Sequence, residues 1–76
     1  MFKSEKLSNE LILIDCKFVT TTELAVLIEL EDEKEYWIPK SVIQLEDGFD
    51  WEDFEKGNII HIEVKRWYLD KNDINY

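Results

Sequence analysis

The 76-residue chain carries eighteen acids against nine bases, for a formal charge of −9, with ten aromatic side chains and one cysteine. That length allows one domain, and the lone Cys16 excludes an internal disulfide. The charge opposes direct contact with DNA or RNA phosphates, which requires Lys/Arg neutralisation and counterion release.

A domain this small buries only about 60 % of the surface its unfolded chain exposes. A single core of this size rarely supplies more than roughly 3–5 kcal/mol, so support must come from aromatics, self-association or a partner. The unpaired thiol fits a reducing compartment. The start of the chain, Met1-Phe2-Lys3-Ser4-Glu5-Lys6, lacks the apolar stretch of a signal peptide. No run approaches the ~18–20 apolar residues of a membrane span. These features lead us to expect a cytoplasmic protein with no membrane contact. Acidic composition can also mean disorder, but 45 % apolar residues with clear periodicity argue against it.

Residues 1–10 are polar and weakly patterned and read as a loose lead-in to a single β-rich domain over 11–76. Residues 11–22 form the first predicted strand, with Ile12, Ile14, Cys16 and Phe18 on its inner face. Cys16 there behaves as a small hydrophobe. A nucleophile would need a neighbouring His or cation to lower its pKa, and the pattern supplies none.

The run from Thr20 to Ser41 reads as a hairpin, with Leu24, Val26, Ile28 and Leu30 on one face of its first arm. The acidic tip, Glu31-Asp32-Glu33-Lys34, lacks the Asn-Gly or Asp-Gly pair of a two-residue turn, so a four- or five-residue loop is expected. The return arm, 35–38, puts Tyr36 and Ile38 on one face and Trp37 on the other, and Pro39 ends the pairing. Lys40-Ser41 reads as a turn and residues 42–45 as a short strand. Gly48 and Gly57 bracket an acid- and aromatic-rich segment and mark positions needing positive φ. One helical turn is expected near 51–55. Ile60, Ile62 and Val64 face inward on a last strand over 59–64. A short helix over 65–71 packs Trp67 or Tyr68 on the sheet, with 72–76 fraying. Five short antiparallel strands with little helix predict a small barrel or bent sheet of SH3-like or OB-like type.

Ala25-Val26-Leu27-Ile28-Glu29 and Tyr36-Trp37-Ile38-Pro39-Lys40-Ser41-Val42-Ile43 together resemble small phage- and prophage-encoded β-domain proteins. Their pattern is an apolar strand, an acidic turn, a W-[IV]-P-x-S motif, and a late strand entering a Trp-containing helix. The likeness spans about residues 20–71 and is most specific at Trp37–Ser41. It implies a phage or mobile-element origin and a compact β fold, and it transfers no catalytic residue. The 46–55 stretch is richer in acids and rings than that pattern, and the final helix less regular.

Motifs for chemistry are sparse. Asp47, Asp50, Glu52 and Asp53 lack the alternate spacing, central Gly and terminal Glu of a calcium loop. One Cys and one His do not make a zinc site. His61 reads as a half-exposed strand residue, and no nucleophile–base arrangement is assembled by spacing. We therefore expect no enzyme, metal or cofactor.

Two acidic clusters hold eleven of the eighteen acids, one at 29–35 and one at 46–55. Interfaces combine aromatic anchors with a polar rim, and acids steer basic partners. This makes Glu31, Asp32, Glu33, Glu46, Asp47, Phe49, Asp50, Trp51, Glu52 and Asp53 candidates for meeting a basic, nucleic-acid-handling host protein, as a DNA mimic or anti-defence inhibitor would. The alternative reading of the rings is that Trp51 and Phe54 plug one end of the fold while the acids solvate it. A second class of function is a nucleotide-like ligand, held by Trp37, Lys40, Ser41, Arg66 and Trp67, in a chain that self-associates. A virion accessory role is the third.

Overall fold

A computed structural model describes residues 10–74. Five antiparallel strands make one sheet: β1 (Leu11–Thr21), β2 (Ala25–Glu29), β3 (Glu35–Pro39), β4 (Ile43–Gln44) and β5 (Ile59–Lys65). A short helix, α1 (Arg66–Lys71), follows. The order across the sheet is β3-β2-β1-β5-β4. The mainly β class expected above is present. Closure is not, because the hydrogen-bonded ladder ends at β3 on one side and β4 on the other.

The sheet nevertheless has to bend. Its two edge strands are separated in sequence only by a 3₁₀ turn, Lys40–Val42. Four peptide units reach at most about 14 Å, whereas the edges of a flat five-stranded sheet stand about 19 Å apart at roughly 4.8 Å per step. The chain can make this connection only if the edges swing towards each other. A bulge in β1 helps: Phe18 faces Ile28 and Thr20 faces Leu27, leaving Val19 as the extra residue. Bulges bend a strand and increase its twist. Around it β1 changes partners, pairing with β5 from Leu11 to Lys17 and with β2 from Lys17 to Thr21.

The inner face of the bend is the core. Ile14, Cys16 and Phe18 of β1 meet Val26 and Ile28 of β2, Ile38 of β3, and Ile60, Ile62 and Val64 of β5, all buried. These are the alternating positions that the period-two pattern selects. Two placements differ from expectation. Leu24 is 75 % exposed, because the chain bends before β2: the Thr22 amide donates to the Ala25 carbonyl, and the Ala25 amide donates to the Thr22 hydroxyl. Val42 is buried within the 3₁₀ turn, leaving β4 only two residues long.

Of the end expected to fray, residues 72–74 are fastened to α1, and residues 75–76 lie outside the described residues. The Ile74 amide donates to the Leu69 carbonyl and the Asp73 amide to the Asp70 carbonyl, with Asp73 at φ +53°. This is the paired-bond helix stop whose left-handed residue is usually glycine, and it buries Ile74 beside the fully buried Leu69. The missing glycine hid it from a sequence reading. Gly48 and Gly57 do adopt positive φ, +92° and +93°. Of the expected lead-in, residues 1–9 lie outside the described residues, and Glu10 accepts the Arg66 amide at the start of α1.

Ile74→Ala should lower the unfolding free energy by about 2 kcal/mol or more, while Asp73→Gly should raise it by about 1 kcal/mol by removing left-handed strain. Urea denaturation of both variants checks this; an unchanged midpoint for Ile74→Ala would mean that the end frays after all.

Candidate functional site

The 46–55 segment is built by its own acids and rings. Asp50 caps the 3₁₀ turn Trp51–Asp53 in a reciprocal box, its side chain accepting from the Trp51 amide while its amide donates to Asp53. Phe54 then acts as the hub of an aromatic chain. Its ring centroid lies 5.8 Å from buried Phe18, 5.8 Å from Trp51 edge-on, and 6.2 Å from Phe49 in a near-parallel stack. Trp51 and Phe54 are half-buried and fasten the segment to the core. Phe49 is not absorbed and stays 55 % exposed.

The hairpin tip is a five-residue loop, 30–34, closed by the Leu30 amide on the Lys34 carbonyl. Asp32 organises it, one carboxylate oxygen accepting the Lys34 amide and the other the Tyr36 hydroxyl. Asp32, Asp50 and Asp53 therefore hold local structure. Among the described residues, the side chains of Glu31, Glu33, Glu46, Asp47 and Glu52 make no hydrogen bond or ion pair, and all five are exposed.

Strand register joins the two acidic segments. Glu35, Glu29, Lys17 and Ile59 form one cross-sheet row through β3, β2, β1 and β5. The hairpin root at Glu29 is thus two strand steps, about 10 Å, from Ile59. Two clefts open beside this row. The larger, about 340 Å³, has Leu45, Phe49, Phe54 and Ile59 as apolar walls, with Glu46, Asp53, Asn58 and His61 as its polar lining. The smaller, about 280 Å³, is lined by residues including Glu29, Glu31, Glu33 and Ile59. Ile59 belongs to both and is 62 % exposed. The two acidic stretches therefore flank one apolar side chain.

In the adjacent row on the same face, Asp15 of β1 pairs with His61 of β5, carboxylate to Nδ1. A carboxylate only accepts, so in the neutral ring Nδ1 carries the proton and Nε2 is left as an acceptor. Ile59, Asp15 and this role of His61 were missed from sequence. Their partners lie more than forty residues away, and only the strand register pairs them.

The alternative ligand residues are differently placed. Lys40 donates from Nζ to the Thr22 carbonyl and lies 5.6 Å from the Trp51 ring, so it braces the bend before β2 against the aromatic turn. Arg66 pairs with Glu10 and with Asp70. Trp67 packs edge-on against Tyr68, whose hydroxyl donates to the Trp37 carbonyl. Trp37 and Ser41 are exposed. Both cations that would hold a phosphate are thus engaged within the chain. Among the described residues no group of three or more His, Cys, Asp or Glu is placed to hold a metal ion, and no helix is long and apolar enough to cross a membrane. No family model, curated protein or solved structure matches the chain.

Cys16 is buried, and desolvation, with a smaller push from the Asp15 charge, raises its thiol to about 12. The thiolate being the reactive form, native protein at pH 8 should resist an alkylating reagent that labels the urea-unfolded chain within minutes. The folded pKa lies above the unfolded value of about 8.5. The stability this thiol contributes is therefore present below that value and lost as pH rises towards about 12. Cys16→Ala should flatten the alkaline limb of a stability profile measured over that window.

Proposed function

We propose that this chain is a phage-encoded acidic binding protein that occupies the basic face of a nucleic-acid-handling host protein in the host cytoplasm. The observation that carries the reading is the position of Ile59 in both clefts, with the acids of the hairpin tip on one side and those of the 46–55 segment on the other. An apolar contact with acidic segments on two sides, and Lys17 next to it on β1, suits a partner whose own surface is mainly cationic around an apolar spot. Glu31, Glu33, Glu46, Asp47 and Glu52, whose side chains have no hydrogen-bond or ion-pair partner among the described residues, would meet it. A curled sheet, approaching a small barrel in shape, supplies the rigid support. The phage origin comes from the resemblance at Trp37–Ser41.

The rings serve two ends in this reading. Trp51 and Phe54 are structural, while Phe49 stays available as an anchor. The nucleotide-ligand alternative is weaker, since Lys40 and Arg66 are already committed.

Replacing Glu31, Glu33 and Glu46 with Gln and Asp47 with Asn removes four charges from side chains that make no hydrogen bond or ion pair among the described residues. The variant should keep its melting temperature within a few degrees. A host protein captured on the immobilised wild-type chain should be eluted by double-stranded DNA, and the variant should capture it at least tenfold less well with a shallower salt dependence. Capture that survives neutralisation at unchanged salt sensitivity, or that DNA cannot displace, would sink the proposal.

A further inference from the structure

The larger cleft is an aromatic-walled groove whose polar lining is nearly all of one kind. Glu46 presents a carboxylate and Asp53 the carboxylate oxygen left over from its bond with the Asp50 amide, and with its ring neutral His61 presents Nε2 as an acceptor, its Nδ1 proton being held by Asp15. The fourth polar side chain, Asn58, has its carbonyl taken by the Glu55 amide, so its NH₂ is the one donor among the lining side chains. A group entering here meets three acceptors at the rim and apolar surface on the walls. An anion would be repelled, and a neutral acceptor would leave the carboxylates unmatched.

The walls narrow the choice of cation. Phe49 stacks on Phe54 with 18° between the rings and remains more than half exposed. It therefore offers a π face within a cleft about 340 Å³ in volume. An ammonium is compact and strongly hydrated, and gains little from such a wall. A guanidinium is planar and weakly hydrated, stacks on aromatic faces, and donates in a fork that matches a carboxylate. We infer that this groove receives an arginine side chain of the basic partner, its guanidinium stacked on Phe49 and donating to Glu46 and to His61 Nε2, with its alkyl stem against Ile59. The inference rests on the reading of this surface as a receptor for a basic protein, and names the side chain that the surface selects.

Two blocked peptides test it, alternating alanine with either six arginines or six lysines, titrated into the full-length chain and followed by amide chemical shifts. The arginine peptide should bind at least tenfold more tightly and should shift the amides around Phe49, Ile59 and His61. Phe49→Ala alters an exposed ring outside the central core. It should reduce the arginine-to-lysine preference to within about twofold while leaving the lysine affinity nearly unchanged. His61→Leu, which removes the acceptor, should also lower the preference. Equal binding of the two peptides to the wild-type chain, or a preference that survives Phe49→Ala, overturns the arginine assignment and leaves the acidic-surface reading standing. Failure of both peptides to bind overturns both.

Discussion

The fold depends on one short connection. Strands at opposite edges of the sheet are joined by the three residues Lys40–Val42, and a flat sheet cannot satisfy that link. Curvature brings the inner faces of all the longer strands onto a common core, so that a chain of this size buries Ile28, Ile38, Ile62 and Leu69 almost completely. The same link is held from outside. Lys40 spans from its own turn to the Thr22 carbonyl and the Trp51 ring, and Tyr68 reaches from α1 to the Trp37 carbonyl. Neither is a strong contact alone, but both restrain the edges that the turn draws together.

Curvature also decides what stays outside. On a strand, inward and outward positions alternate, so the row that buries Cys16 and Ile60 must expose Lys17 and Ile59 next to it. The convex face collects the leftover residues from three strands. Exposure of the acids and of Ile59 follows from the same alternation that builds the interior. Asp50 and Asp53 each commit one carboxylate oxygen to shaping their own turn, and Asp32 commits both of its oxygens to the hairpin tip. Composition alone therefore overstates how many acids a partner would encounter.

Local pattern made much of this legible. Alternation identified the inner residues of β1, β2, β3 and β5, and the two glycines marked positive φ. Pro39 marked the end of β3. What was not legible depended on distant partners or on unusual local choices. Leu24 matches the inward spacing of β2 but falls in a bend set by Thr22. Ile74 looked like a loose end because Asp73, not glycine, takes the left-handed position. The union of two acidic stretches at Ile59, and the pairing of Asp15 with His61, depend on a register between strands that are adjacent in space and far apart in sequence. The edges were legible only in part: strand count allowed a barrel or a bent sheet, and hydrogen bonding stops at β3 and β4.

The long-range register of β1 with β5 has a consequence for how the molecule forms. Leu11 must find Lys65, and Lys17 must find Ile59, so most of the chain is enclosed in the loop that this encounter closes. Proteins dominated by such remote pairings assemble slowly compared with those built from neighbouring segments. The β1–β2 and β2–β3 hairpins are the local pairings, and hairpins form within microseconds. Without β5, though, they lack Ile60, Ile62 and Val64 of the interior. The groove beside β5 is lined by Ile59, Ile60 and His61 and so requires the β1–β5 register; a chain without that pairing would carry the charges without the shape that gives them selectivity.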